Sequence, residues 1–175
     1  MALYKLWKPF TVGHAYVKFK GDYDWDGLFK LVSNWIMNRK YDYHEDRYQD
    51  KKKGPAGSEL KVKVYGRKDE TPFVRQWIHV YFHIWGMKEK KGVLHEEEKE
   101  FTGGRLTIDI TAKIELDWQG RFKGSKWKEV LGKFYVWVMR KEIQIIHVDN
   151  HEYEALRLEH EIKKFLRMET DTHAY

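Results

Sequence analysis

The chain of 175 residues has no cysteine, only three prolines, and few amide side chains, with three Asn and four Gln. The lack of cysteine excludes disulfide scaffolds, thiolate zinc sites and cysteine nucleophiles. No uncharged run approaches the ~18 residues of a membrane-spanning helix. The first residues also lack the apolar stretch of a signal peptide. We therefore expect a soluble protein, located in the cytoplasm, with no membrane span.

Charged and aromatic residues are abundant instead. Charged residues make up 34% of the chain and aromatic residues 16%, and the formal net charge is +6. Many charges with few amides are typical of hyperthermophile proteins. The hydrophobic content of 42% excludes a disordered chain. No internal repeat or long linker divides the sequence, so we expect a single domain over residues 1–175.

The spacing of apolar residues predicts an α+β fold. We expect strands at 10–20, 41–48, 59–66, 73–87, 93–101 and 105–118, and helices at 25–38, at 126–141 and from about residue 150. Asp22 or Asp24, then Ser125, then Asp149 or Asn150 are the expected N-caps of the three helices. The fold class is an antiparallel, meander-like sheet of five to six strands, in the order β-α-β-β-β-β-β-α-α, covered by N-terminal and C-terminal helices.

Two of the predicted strands carry the strongest patterns. From Leu106 to Trp118 every second residue is apolar and the residues between are polar, which predicts one buried side, with Ile110 near its centre. We expect a turn at residues 102–105 before it. The strand at 73–87 is apolar on both sides and would run ~50 Å if straight, against a domain diameter of about 40 Å. It must coil, bend at a bulge near Gly86, or project.

The order of elements resembles that of helix-grip domains, in which a curved antiparallel sheet wraps a long C-terminal helix. The resemblance rests on topology and carries no functional residue. It implies a cavity between sheet and helix that binds an apolar small ligand, which we keep as a third functional hypothesis.

The catalytic inventory is poor. The chain contains no G-x-S-x-G, phosphate-loop or HExxH motif. His79 with His83 supplies two imidazoles on one strand, and His147 with His151 lies at helical spacing, but a zinc site needs three or four ligands. Structural roles explain both pairs more simply. We expect no catalytic residue, no cofactor and no metal site.

The leading hypothesis is a non-enzymatic interaction or assembly protein that forms a homo-oligomer through one side of the strand at 73–87. We call this side the aromatic face, and its residues are Trp77, His79, Tyr81, His83 and Trp85. The opposite side already carries enough apolar residues for one core, so the aromatic face should be covered by a helix of the same chain or by another subunit. With histidines of ordinary pKa in that contact, assembly should weaken as pH falls through roughly 6.

The alternative hypothesis is nucleic-acid binding through cations interleaved with aromatic rings. Residues 1–91 carry 19 Lys and Arg against 11 Asp and Glu, and residues 92–175 carry 14 against 16. The basic residues form two patches. The candidate contacts are Lys51, Lys52, Lys53, Lys61, Lys63, Arg67 and Lys68 in the first patch, and Arg121, Lys123, Lys126, Trp127 and Lys128 in the second.

Overall fold

The structure, a computed structural model, describes residues 6–51, 58–94 and 97–168. Its strands are β1 (Phe10–Tyr23), β2 (Asp42–Lys51), β3 (Ser58–Asp69), β4 (Val74–Leu94) and β5 (Glu97–Leu116). Its helices are α1 (Trp25–Asn38), α2 (Lys126–Val138), the short α3 (Arg140–Glu142), a π-helical segment (Ile143–Asp149) and α4 (Asn150–Phe165).

The five strands form one antiparallel sheet in the order β1-β5-β4-β3-β2. Strands β2 to β5 follow one another as a meander, and β1 pairs with β5 on the far side. The helix α1 connects the two edge strands. This arrangement confirms the predicted fold class.

The main core lies between one side of the sheet and two helices. The inward residues of the strands share a hydrophobic cluster with Leu28 and Val32 of α1 and with Leu158 of α4. Trp25 of α1 meets the Phe82 ring of β4 edge to face, with centroids 5.3 Å apart. The long helices α1 and α4 therefore cover the same side of the sheet.

The helix α1 begins as the sequence predicts. Asp24 is its N-cap, and the Asp24 Oδ1 atom accepts a hydrogen bond of 2.8 Å from the Gly27 amide. This bond satisfies one of the amide groups that the first turn leaves without a helical partner.

A second, smaller cluster lies at one end of the sheet. Its members include Val74, Leu116 and Val136, so it joins β4 and β5 to α2. Gly132 and Val136 are the two buried residues of α2. This helix therefore touches the body along a narrow line.

The hairpin of β4 and β5 differs from the prediction. Residues 102–105 do not turn but lie inside β5, where Gly103 pairs with Lys88 and with Asp22 of β1. The expected strand at 93–101 is therefore not separate, because its described residues belong to β4 and β5. Beyond Lys88, β5 is the only strand among the described residues that pairs with β4, so the described hairpin continues there as a two-stranded ribbon.

A bulge is present at Gly86, which is one of the three alternatives expected for this strand. The register between β4 and β5 shifts between Trp85 and Lys88, and Gly86 has a φ of 63°. The opposite strand accommodates the bulge with a second glycine, because a Cβ atom on Gly104 would lie 2.9 Å from the Trp85 carbonyl oxygen. Gly104 therefore serves close strand approach rather than a turn.

The C-terminal helices are joined differently from the prediction. Asp149 and Asn150 do not cap a new helix, because both have helical backbone angles and the π-helical segment leads directly into α4. Ser125 occupies the N-cap position of α2, but its side chain makes no capping hydrogen bond. Within the described ranges, no helix is long and apolar enough to cross a membrane.

Candidate interaction surfaces

The aromatic face lies on the side of the sheet opposite α1 and α4. Alternation along β4 directs Ile78, Val80 and Phe82 into the main core, where they are fully buried, and directs the aromatic face outward. No helix lies over this face in the part of the chain that the structure describes. Trp85 is 38% exposed, and the other four residues are partly exposed.

Neighbouring rings of the aromatic face contact one another along the strand. The Trp77 and His79 rings stack nearly parallel, with centroids 6.1 Å apart. Tyr65 of β3 contacts both, at 5.8 and 5.7 Å. Further along β4, the His83 and Trp85 ring centroids are only 3.6 Å apart. The rings therefore form two groups, Trp77 with His79 and Tyr65, and Tyr81 with His83 and Trp85. The two groups follow one another in a row along the side of the sheet away from α1 and α4, which we call the open side.

The polar atoms of the row have mixed environments. The Trp77 Nε1 atom donates to a Glu115 carboxylate oxygen at 3.3 Å, and the His83 Nε2 atom lies 2.7 Å from Glu59 Oε1. The His79 Nδ1 atom is buried and has no hydrogen-bond partner among the described residues. Burial, with the nearby charges of Lys113 and Lys63, lowers the pKa of His79 from 6.5 to about 4.

These observations change part of the prediction for this face. Cover by a helix of the same chain is wrong for the described residues, and cover by another subunit stays a prediction. The expected loss of assembly near pH 6 assumed an ordinary histidine pKa. The pKa of His79 itself is about 4, and the loss of assembly near pH 6 stays a prediction.

The first basic patch is largely paired with acids. Lys61 Nζ lies 2.9 Å from Glu59 Oε1, and Lys63 forms an ion pair with Asp46. Arg67 and Lys68 pair in the same way with Asp42 and Glu70. Lys52 and Lys53 lie outside the described residues, and so does the side chain of Lys51. The described cations of this patch are thus offset locally, which weakens their attraction for phosphate.

The second basic patch surrounds the start of α2. Arg121, Lys123, Lys126 and Lys128 are all exposed, and Trp127 is 83% exposed. The structure places this patch beside the second cluster, next to Phe73 and Phe122, whose rings meet edge to face. A cationic surface with an accessible ring is present here.

A buried polar network was not foreseen from the sequence. His151 is fully buried, and its Nε2 atom donates to the Trp77 carbonyl oxygen at 2.9 Å. On its other side, Tyr41 bonds to Glu154, and the Tyr41 hydroxyl lies 3.3 Å from Gln76 Oε1 and 3.3 Å from His151 Nδ1. Burial raises the pKa of Glu154, but its contacts with His151 and Tyr41 outweigh that effect, so the pKa is lowered.

The polar network fastens α4 to β4 and to the chain after α1. The His151 ring nitrogens and the Tyr41 hydroxyl are engaged within it, which favours a structural role. The sequence indicates that His147 and His151 lie at helical spacing, but in the structure His151 contacts Tyr41 and Glu154. Among the described residues, no group of three His, Asp or Glu is placed to hold a metal ion.

Two further features concern ligands. An open cavity of about 450 Å³ lies at the Gly86 bulge, lined by Lys20, Trp85 and Arg105 among others. It is not between the sheet and α4, where the helix-grip resemblance implies a ligand. There, side chains such as Ile110 and Leu158 are fully buried in the main core cluster.

The outer side of α2 is the largest departure from the sequence-based picture. The spacing of apolar residues over 126–141 predicts an amphipathic helix that covers the sheet, and these residues are Trp127, Val130, Leu131, Phe134, Tyr135 and Val138. The structure has a helix at Lys126–Val138, but these six residues are exposed, and the buried residues of the helix are Gly132 and Val136. Of the six, Tyr135 contacts the body, where its ring meets those of Phe73 and Phe122. Periodicity identifies an apolar side without showing which way it faces.

Comparisons with known proteins add no family to these observations. Neither the protein-family models nor the curated proteins compared with the chain give a significant match.

Proposed function

We propose that the protein is a non-enzymatic assembly protein that self-associates through the aromatic face. One observation carries the proposal. The side of the sheet opposite α1 and α4 bears a row of large rings, and no described helix lies over it. Trp and Tyr are enriched at the centres of protein interfaces, where they supply most of the binding energy.

The open side is large enough for a stable contact. The 12 residues of β3 span about 40 Å, and five strands at about 4.8 Å spacing span roughly 20 Å. The flat area is therefore on the order of 800 Å², which is about what each partner contributes to a standard protein–protein interface. A dimer that packs the two open sides together would meet this requirement.

The charges of the open side also suit contact with an identical copy. In a two-fold symmetric dimer each patch meets its own copy, so a surface of one sign would repel itself. Here Lys61, Lys63 and Arg67 each have an acidic partner in the same chain. These paired charges lie on β3 directly beside the rings of β4, so their pairing limits the repulsion between two copies packed through this side.

The proposal is tested by the mass in solution of the protein and two variants. Tyr81 lies at the centre of the aromatic face, and Tyr81→Glu places a carboxylate against its own copy in the dimer. Tyr153 is an exposed tyrosine on α4, so Tyr153→Glu is the matched control. We expect size-exclusion chromatography with light scattering to give a dimer for the parent and for Tyr153→Glu, and a monomer for Tyr81→Glu. A monomeric parent, or a dimer that Tyr81→Glu leaves intact, contradicts the proposal.

The alternative function, nucleic-acid binding, makes a different prediction. It is favoured by the exposed Trp127 between Lys126 and Lys128. If it holds, a labelled oligonucleotide binds at low salt, its affinity falls steeply as salt rises, and Lys126→Glu with Lys128→Glu weakens binding. No binding by the parent at low salt removes this alternative.

The apolar-ligand hypothesis is tested by native mass spectrometry, which would detect a retained ligand.

A further inference from the structure

The outer side of α2 carries large apolar side chains that are exposed to solvent. Trp127 is 83% exposed, Trp137 62% and Phe134 57%. Val130, Leu131 and Val138 are also more than half exposed. Since aromatic side chains alone have 150–250 Å² each, the patch is on the order of 500 Å² or more. The largest apolar patch of a typical monomer is about 300–600 Å² and is often functional. We call these six residues the α2 stripe.

The α2 stripe points directly away from the body. At about 100° of rotation per residue, its members spread over the third of the helix that lies opposite Gly132 and Val136. The helix is also held in that orientation, because a Cβ atom on Gly132 would lie 2.8 Å from Phe122 Cβ and 3.2 Å from Leu6 Cδ1. A rotation that turned the stripe inward would break this close contact.

The charge around the α2 stripe is strongly positive. Residues 121–142 contain seven Lys and Arg against two Glu, a net charge of +5. The cations are Arg121, Lys123, Lys126, Lys128, Lys133, Arg140 and Lys141. Two copies docked stripe to stripe would bring two such surfaces together, which like-charge repulsion opposes. The occupant of the stripe should therefore be apolar at its centre and negatively charged around it.

The surface of an anionic lipid bilayer has both properties. Helices with Trp and Phe on one side and Lys and Arg beside them lie flat at the boundary between headgroups and acyl chains. Trp rings favour this depth, and basic residues are attracted to acidic headgroups. We propose that α2 binds the surface of anionic membranes, with the stripe inserted and the cations at the headgroups. The 13 residues of α2 would lie along about 20 Å of that surface.

This inference is independent of assembly through the aromatic face. The α2 stripe belongs to the end of the sheet that carries the second cluster, whereas the aromatic face follows β4 along the open side of the sheet. Membrane binding and self-association are thus measured with separate variants, and either result stands without the other.

The test uses sucrose-loaded vesicles of phosphatidylcholine with 30% phosphatidylserine, and vesicles of phosphatidylcholine alone. The parent should sediment with the anionic vesicles and bind the neutral ones at least tenfold more weakly. Phe134→Glu with Trp137→Glu should reduce binding to anionic vesicles by more than tenfold. Met37→Glu with Tyr153→Glu adds the same two carboxylates at exposed residues of α1 and α4, so it is the matched control and should bind like the parent.

Two further measurements separate insertion from simple attraction. Lys126→Gln with Lys133→Gln should weaken binding to the anionic vesicles by about fivefold per lysine. Brominated phosphatidylcholine should quench tryptophan fluorescence of the bound parent, and Trp127→Phe with Trp137→Phe should remove most of that quenching. Thermal melting close to that of the parent shows that each variant is folded, as expected for exposed positions.

Three outcomes overturn the proposal. The first is a parent that does not sediment with anionic vesicles. The second is binding that survives Phe134→Glu with Trp137→Glu, because it would then be electrostatic and independent of the stripe. The third is a dimer in light scattering that this double variant converts to a monomer, because a second copy would then be the occupant.

Discussion

The lowered pKa of His79 makes a quantitative prediction about stability and pH. Its ring lies in the row formed with Trp77 and Tyr65, and its Nδ1 atom is buried. Burial and the charges of Lys113 and Lys63 lower its pKa to about 4, and Asp46 opposes them. The folded protein therefore resists protonation of His79 over a range in which the unfolded chain, at about 6.5, accepts it.

The sign follows from proton linkage. Between pH 6.5 and 4 the unfolded state binds more protons than the folded state, so stability falls as pH falls. The whole difference corresponds to about 3 kcal/mol. Because His79 keeps some contact with solvent, we expect the protein to lose about 1–2 kcal/mol of this stabilisation by pH 5, and almost none of it above pH 7.

The assay is urea unfolding of the parent and of His79→Gln at pH 7.5 and pH 5.0. A single protein concentration is used, since self-association adds stability by mass action. Glutamine stays neutral, so the variant should lose about 1–2 kcal/mol less than the parent between the two pH values. Equal losses in the two proteins would show that His79 is not held neutral by its surroundings, and would refute this reasoning.

Two other substitutions test the packing of the two clusters. Ile110→Asp puts an unpaired charge into the fully buried centre of the sheet and should unfold the protein. Ile110→Val should lower the stability by only about 1 kcal/mol. An aspartate variant that melts like the parent contradicts the assigned core. Gly132→Val should force α2 away from Phe122 and lower the stability by about 1–3 kcal/mol, seen as a drop of several degrees in Tm. Lys133→Val, one residue along the same helix but exposed, should leave Tm nearly unchanged, and equal effects of the two valines would contradict the close contact.

Much of the sheet was predictable because each strand has one side that is clearly apolar and buried. The alternation predicted from Leu106 to Trp118 identifies the buried side of β5 as far as Leu116, and the apolar residues at alternate positions up to there are fully or almost fully buried. The strand ends at Leu116, after which Asp117 is fully buried and Trp118 only partly buried, so the predicted alternation is wrong for these two residues. Asp24 was similarly readable, since an acid before an amphipathic segment is a common N-cap. These features depend on neighbours in sequence, which a local pattern contains.

The errors lie where a residue acts through a distant partner. Gly103 and Gly104 resemble a turn in the sequence, yet Gly104 is needed because the Trp85 carbonyl oxygen of the next strand approaches it closely. The bulge at Gly86 that causes this approach lies on another strand. Local sequence cannot contain both halves of such a contact.

The candidate surfaces were predictable only in part. Alternation along β4 places the five residues of the aromatic face together, but the sequence does not show that α1 and α4 both lie on the other side. Nor does it show that α2 rests on Gly132 and Val136, with its stronger apolar side outward. The His151 network escaped notice because Tyr41, Gln76 and Glu154 are far apart along the chain.

The measurement that tests self-association through the aromatic face most directly is a distance between two copies. The chain has no cysteine, so Thr111→Cys gives a single labelling site. Thr111 lies at the centre of the open side, opposite His79 of β4 and His14 of β1. With sheets packed about 10 Å apart, dipolar spectroscopy of the spin-labelled dimer should give a short distance between labels, about 25 Å or less. A dimer whose labels are much farther apart, or a labelled protein with no intermolecular coupling, would contradict assembly through this face.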